Sequence, residues 1–210
     1  MITGIPLSSI RVLLPVKAFA QAKSRLDLPA EQRAVVARRL FAHTLDVTLQ
    51  CVRRQQVFVM TNDPSVRRAA TARRAQTLED PAHDLNRSLE LALATLRQRF
   101  PDDTLAVLVA DLPRLTAPVL TTALLNAASS LQPRHVVDQH GTGTTFVSLP
   151  PRIDLPMLFG PGSAQRFAEV GAAPMLFPPP AITHDLDLLN DLNALPAHQK
   201  EHLCPSTPSP

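Results

Sequence analysis

The chain has 210 residues, and its 45% hydrophobic share is enough for one sizeable core in a single ordinary domain. Its net charge of +3 is small, several of its cations forming Arg pairs such as Arg38/Arg39 and Arg67/Arg68, and with no Trp, no Tyr and eight scattered Phe it lacks the stacking platform of a nucleic-acid binder. The residual positive charge suits a small polyanion instead. Cys51 and Cys204 lie far apart, and the longest apolar run, Leu105 to Ala110, is too short to span a bilayer. We therefore expect no disulfide framework, no zinc site and no membrane anchor, and a cytoplasmic location.

In chain order, Arg11 to Val16 reads as a strand closed by a loop, and Leu28-Pro29-Ala30-Glu31 opens a helix with Val36, Leu40 and Val47 on one face. Gln56 to Met60 repeats the strand signal, Thr61-Asn62-Asp63-Pro64 breaks it, and a short Arg-rich helix follows Ser65. Asn86 is expected to cap a helix carrying Leu89, Leu93 and Leu96, which ends at Phe100-Pro101. Thr104 to Ala110 is the most strand-like run, and Leu105 to Ala110 within it is apolar without alternation, the pattern of a strand buried on both faces at the centre of a parallel sheet. A helix over about Ala117 to Leu131 and a strand His135 to Asp138 complete a β-α alternation, so the expected fold is an α/β domain over residues 1–195. Beyond Gly141 the chain reads as strand-poor, with a short helix near Ser163 and a strand-like patch at Met175 to Phe177. From Pro196 to Pro210 a mobile tail is expected.

The central strand runs into Asp111-Leu112-Pro113, which puts a carboxylate at the carboxyl end of a strand, where open α/β sheets bind ligands. Asp111 is therefore a metal-ligand candidate, with a turn cap before Pro113 as the structural alternative. Asp185 and Asp187 have the spacing that places both carboxylates on one face of an extended segment, so one or both are candidates to join it; Asp187 is equally placed to cap a following helix. Magnesium needs only one or two carboxylates besides phosphates and water. The loop after the first strand carries Lys17, Lys23 and Arg25, cations able to hold a triphosphate, although it has no Gly and is not a Walker loop. Four of only six Gly fall in Gly141-Thr142-Gly143-Thr144 and Phe159-Gly160-Pro161-Gly162-Ser163. Both stretches read as phosphate or carboxylate cradles, or as two tight turns.

Taken together, Pro-Val-Lys-x-Phe-x-x-Ala-Lys-Ser-Arg-Leu, Thr-x-Asp-Pro, Leu-Asn, Ala-Asp-Leu-Pro, Gly-Thr-Gly-Thr and Phe-Gly-Pro-Gly-Ser resemble the CofC-type guanylyltransferases of coenzyme F-420 biosynthesis, over about Val12 to Leu192. The resemblance implies a single Rossmann-like domain with a mixed, mainly parallel sheet, of the glycosyltransferase-A nucleotidyltransferase type, using magnesium and GTP. It implies Lys17, Lys23 and Arg25 at the triphosphate, Asn86 near the base, Asp111 at the metal, and Thr144, Gly160 and Ser163 at a phosphorylated three-carbon acid; Asp187, with Asp185 as the alternative, is the expected second metal ligand from its spacing. Such an enzyme hands its product to a downstream transferase of the deazaflavin pathway. Of the family's acceptors, 3-phospho-D-glycerate is favoured over phosphoenolpyruvate because Ala164 stands where the family often has Phe, and 2-phospho-L-lactate ranks last because Arg outnumbers Lys by 18 to 3. Two departures are the Asp at position 84, usually Gly, and the end of the pattern, Asp185-Leu186-Asp187-Leu188-Leu189-Asn190-Asp191-Leu192. The competing expectations are a GTP sensor without turnover and a sugar- or molybdopterin-type nucleotidyltransferase.

Overall fold

The structure, a computed structural model, describes residues 7–82 and 84–204. Seven strands form one sheet: β1 Ile10–Pro15, β2 Val57–Met60, β3 Gln76–Leu78, β4 Thr104–Leu108, β5 Arg134–Val137, β6 Thr144–Leu149 and β7 Ala173–Pro174, in the order β3-β2-β1-β4-β6-β5-β7. All neighbours are parallel except at β6, which runs antiparallel to both β4 and β5. This is the mixed, mainly parallel α/β sheet expected, with β4 in the middle and every β4 residue buried. The helices are α1 Ala30–Cys51, α2 Pro64–Ala72, α3 Leu85–Arg99, α4 Ala117–Ser129, α5 Ser163–Glu169, α6 Pro180–Thr183, α7 Leu189–Asn193 and α8 Ala197–Leu203. None is long and apolar enough to cross a membrane among the described residues.

The alternating faces of the strands explain the two main cores. Val12 and Leu14 of β1 with Ala106 and Leu108 of β4 pack under α1 and α4 against Phe41, Leu45, Leu120 and Leu124. Leu13, Leu105 and Val107 face the other way and meet Leu89, Leu93 and Leu96 of α3 together with Phe167 of α5. A third cluster lies off the sheet: Leu26, Val36, Leu40, Leu186, Leu192, Leu195 and Leu203. Each fully buried Leu contributes about 1.5–3 kcal/mol relative to exposure, so this cluster is a firm link between the loop after β1 and the last fifty residues.

Four local expectations are corrected. β6 lies in the stretch expected to be strand-poor. Its sequence mixes Thr, Ser and apolar residues, yet all six are buried, and the Thr145 hydroxyl finds its partner in tertiary structure, donating to Ile182 O at 2.7 Å. The helix expected to begin at Asn86 is capped by Asp84, whose carboxylate accepts the Arg87 N–H at 2.9 Å, leaving Asn86 inside the first turn. The patch at Met175 to Phe177 is not a strand: the strand is Ala173–Pro174, Met175 adds a single N–H bond to His135 O at 2.8 Å, and Leu176 and Phe177 are exposed. The tail expected from Pro196 opens with α8, which packs on α1 through the buried Leu203, while residues 205–210 lie outside the described residues.

Candidate active site

Because β1 and β4 are parallel neighbours, the loop leaving β1 and the residues leaving β4 emerge at the same end of the sheet. The loop is pinned at two apolar points. Phe19 is buried against Phe41, with ring centroids 5.8 Å apart, and Leu26 is buried in the third cluster. Between them the backbone coils tightly, Ala22 N–H donating to Ala18 O at 3.0 Å and Leu26 N–H to Lys23 O at 2.9 Å. Lys23 takes the left-handed conformation, φ 58°, which is costly for a residue with a Cβ and persists only where the surroundings impose it. Its side chain turns inward, and Nζ donates to Asp111 Oδ2 and, at 3.0 Å, to Asp187 Oδ1.

Asp187 arrives there for the same apolar reason. Leu186 is fully buried in the cluster that holds Leu26, and its N–H donates to Asp111 O at 3.1 Å. The residues on either side, Asp185 and Asp187, are thereby aimed away from the apolar cluster. Asp187 does not cap a helix: the Asp191 carboxylate accepts the N–H groups of Asp187 (3.0 Å) and Leu188 (2.7 Å) and a bond from Gln139 Nε2 at 3.1 Å. Asp191 is thus a positioning residue that spacing alone did not single out. It matches the Asp that precedes the last Leu of the terminal motif.

The electrostatics follow from this crowding. Burial by itself would lower the Lys23 pKa, but the carboxylates of Asp111 and Asp187 outweigh it and raise the value above that of an ordinary lysine. Asp185 is pushed up to about 7, first by burial and then by the charges of Asp111 and Asp187. Asp111 Oδ1 is buried with no hydrogen-bond partner. Two hard oxygen donors already converge on one cation, and a buried carboxylate oxygen stands unsatisfied beside them, so these residues fit a magnesium-class ion. No group of three or more His, Cys, Asp or Glu converges as a ready ligand set among the described residues. Such an ion would accordingly draw on Asp111 and Asp187 and complete its shell with phosphate oxygens and water.

The two glycine-rich loops meet each other but differ in kind. Gly141-Thr142-Gly143-Thr144 is the turn between β5 and β6. Its amides are taken up internally, Gly141 N–H by Asp138 O at 3.1 Å and Thr142 N–H by Asp138 Oδ1 at 2.9 Å. A Cβ on Gly143 would run into the Asp138 carboxylate, so a side chain here would require that carboxylate to shift. Gly160 (φ 118°) and Gly162 (φ 74°) supply left-handed backbone in the second loop, ending at the start of α5. The loops are joined by Ala164 N–H donating to Thr142 O (3.1 Å) and Ser163 Oγ donating to Thr144 Oγ1 (3.0 Å). Val109 N–H donates to Thr145 O at 3.0 Å, so Thr144 and Ser163 stand at the same sheet end as Asp111.

The remaining sequence candidates are dispersed around this centre. Lys17 and Arg25 are exposed at either end of the β1 loop. Asn86 turns toward the second glycine loop, its amide pairing with both backbone groups of Phe159. His140 is half exposed, 3.9 Å from Asp191.

Residues 24–200 match the MobA-like NTP transferase domain. The phosphoenolpyruvate guanylyltransferase of Salinispora arenicola is 34% identical over 185 residues, covering 86% of this chain and 85% of its own. That of Mycobacterium sp. strain KMS is 35% identical over 201 residues, covering 89% and 86%. Among solved structures, a candidate nucleotide-diphospho-sugar transferase from Desulfovibrio desulfuricans G20 superposes with TM-score 0.66 at 16% identity over 92% of this chain and 88% of its own. Rv0371C from Mycobacterium tuberculosis, solved in complex with manganese, does so with TM-score 0.53 at 19% identity over 89% and 97%. On these matches the chain belongs to the MobA-like NTP transferase family, in its branch of CofC-type guanylyltransferases, and is a nucleotidyltransferase.

Proposed function

We propose that the protein transfers GMP from GTP to the phosphate of a small phosphorylated three-carbon acid, releasing pyrophosphate, as a cytoplasmic step of coenzyme F-420 biosynthesis. The observation that carries this reading is the meeting of Lys23, Asp111 and Asp187 at the sheet end where Thr144 and Ser163 pair their hydroxyls. An acceptor phosphate oxygen attacks the α-phosphorus of GTP in line. The new P–O bond forms as the bond to the bridging oxygen breaks, and pyrophosphate departs with that electron pair. A phosphate monoester is largely dianionic at neutral pH, its second pKa being about 6, so no side chain has to remove a proton. This agrees with a centre built of lysine and carboxylates rather than histidine.

The work left to the protein is alignment of two anions and neutralisation of charge. Magnesium held by Asp111 and Asp187 would supply Lewis-acid neutralisation of the α-phosphate and the leaving group. A divalent ion in this role is supported by the family and by the manganese complex of the structural neighbour. The exposed Lys17 and Arg25 grip the outer phosphates, and Lys23 holds the two carboxylates in register. Thr144, Gly160 and Ser163 receive the acid.

Two acceptors are supported by different observations. Phosphoenolpyruvate is favoured by the names of the curated relatives. 3-Phospho-D-glycerate is favoured by the small Ala164 in the seam between the two glycine loops, which leaves more room than a larger side chain would. The test supplies purified protein with GTP, magnesium and each acid separately, reading pyrophosphate release and coupling the product to the downstream transferase. Turnover per Michaelis constant ranks the acids. GTP binding with no pyrophosphate from any of them would replace transfer by a sensor role.

A further inference from the structure

Asn86 makes two hydrogen bonds that no contact with a base requires. Its Nδ2 donates to Phe159 O at 3.0 Å, and its Oδ1 accepts the Phe159 N–H at 2.8 Å. One side chain thereby mimics a strand neighbour, satisfying both backbone groups of the residue that opens the second glycine loop. One turn further along α3, Glu90 Oε1 accepts the Met157 N–H at 3.4 Å, and Arg166 of α5 donates to Leu158 O at 2.9 Å. The segment entering the loop is thus held from α3 and α5, while its exit is held by Ser163 on Thr144 and Ala164 on Thr142.

Between those anchors stand Gly160 and Gly162, both left-handed and separated by Pro161. Glycine backbone has wide freedom, so the loop keeps a definite shape only because its ends are clamped. The entry clamp is the one furthest from the acceptor hydroxyls. It comes from a helix that otherwise belongs to the sheet's second core, through Leu89, Leu93 and Leu96.

We infer that Asn86 is a positioning residue for the phosphorylated acid, acting through the Phe159–Ser163 backbone, and not the guanine contact that its place in the Leu-Asn motif implies. The inference rests on the acceptor reading of Gly160 and Ser163 given above. Asn86→Ala removes both bonds to Phe159. The acceptor's Michaelis constant should then rise about tenfold or more, with that of GTP held within about twofold. Melting should change little, because Asn86 lies in the first turn of α3 and helix propensity favours Ala.

Amide hydrogen exchange in the free protein gives a readout that needs no substrate. The Phe159 amide and its neighbours through Ser163 should exchange about tenfold faster in Asn86→Ala. Asn86→Asp keeps the acceptor for the Phe159 N–H and should restore protection at that amide. A larger rise in the GTP constant than in the acceptor's, or unchanged exchange over Phe159–Ser163, overturns the inference. If wild-type protein turns over none of the acids, the proposed reaction falls, and exchange alone then decides whether Asn86 clamps this loop.

Discussion

The ammonium of Lys23 lies between the carboxylates of Asp111 and Asp187, with only 8% of its side chain exposed, although these partners are 88 and 164 positions away in the chain. Charges buried this far are tolerated only when matched, and here two carboxylates share one cation while Asp185 presses in beside them. The ion triad therefore binds three separate parts of the chain into one centre. Its occupancy by a lysine, and not by apolar packing alone, leaves that centre responsive to any other cation brought with a nucleotide.

Lys23→Met should remove the cation while keeping much of the side chain's volume. Asp111 and Asp187 then repel, and the variant should melt several degrees below wild type in metal-free buffer. Added magnesium should recover more of the melting temperature in the variant than in wild type, because the carboxylates lack their internal counter-ion. Thermal melts with and without chelator check this. Equal responses of the two proteins would count against Asp111 and Asp187 as the metal's ligands.

Asp111→Asn retains the shape of the side chain but removes the charge at the end of β4. Pyrophosphate release should fall by roughly two orders of magnitude or more, the scale seen when a charge-stabilising group is removed from a reaction centre. The circular-dichroism spectrum should be preserved, since Asp187 still pairs with Lys23. Turnover within a few-fold of wild type would remove Asp111 from the reaction.

Ser163 and Thr144 form one hydroxyl pair at 3.0 Å, both buried. Ser163→Ala deletes the donor and leaves Thr144 Oγ1 without that partner. Steady-state kinetics should show a rise of about five- to tenfold in the acceptor's Michaelis constant, larger than the change for GTP. The reverse ranking would move this pair to the nucleotide side of the centre.

His135 supplies a pH dependence away from the active centre. It is buried and stacked on Phe167 at 6.2 Å, and its Nδ1 has no partner. Burial lowers its pKa, with a backbone hydrogen bond at Ala172 partly opposing. The unfolded chain takes up the proton first, at about pH 6.5, so the folded state loses stability as pH falls from about 7 toward the depressed folded value. His135→Phe cannot titrate and should show a shallower loss over that range in urea unfolding series. His43, lowered in the same direction by its own burial, remains in both proteins, so the difference between the two curves isolates His135.

The legibility of the chain varied with the range of the interaction that decides each feature. Leu105 to Ala110 could be placed at the sheet centre because an unbroken apolar run has one good environment, burial on both faces. Strand β6 was not legible, since Thr145 and Ser148 resemble loop residues until Ile182 O supplies the Thr145 hydroxyl with a partner. The left-handed Lys23 was equally invisible, because its residue type does not favour that conformation without distant neighbours, and of the Asp191 hydrogen bonds only the one from Gln139 comes from far along the chain. Asn86 has the residue type of a helix cap, yet Asp84 two residues earlier takes that position and frees Asn86 for Phe159.

By itself the amino-acid sequence determined the β-α order, the carboxylate at the end of the central strand, the cation-bearing first loop and the family, since these rest on local pattern and on runs of identical residues. Tertiary structure decided which of these residues share a centre. Leu26 and Leu186 become buried in one cluster, and that burial carries Lys23 onto Asp111 and Asp187. The hydrophobic effect that joins them is non-directional and indifferent to separation along the chain, so no local spacing records which Leu will meet which.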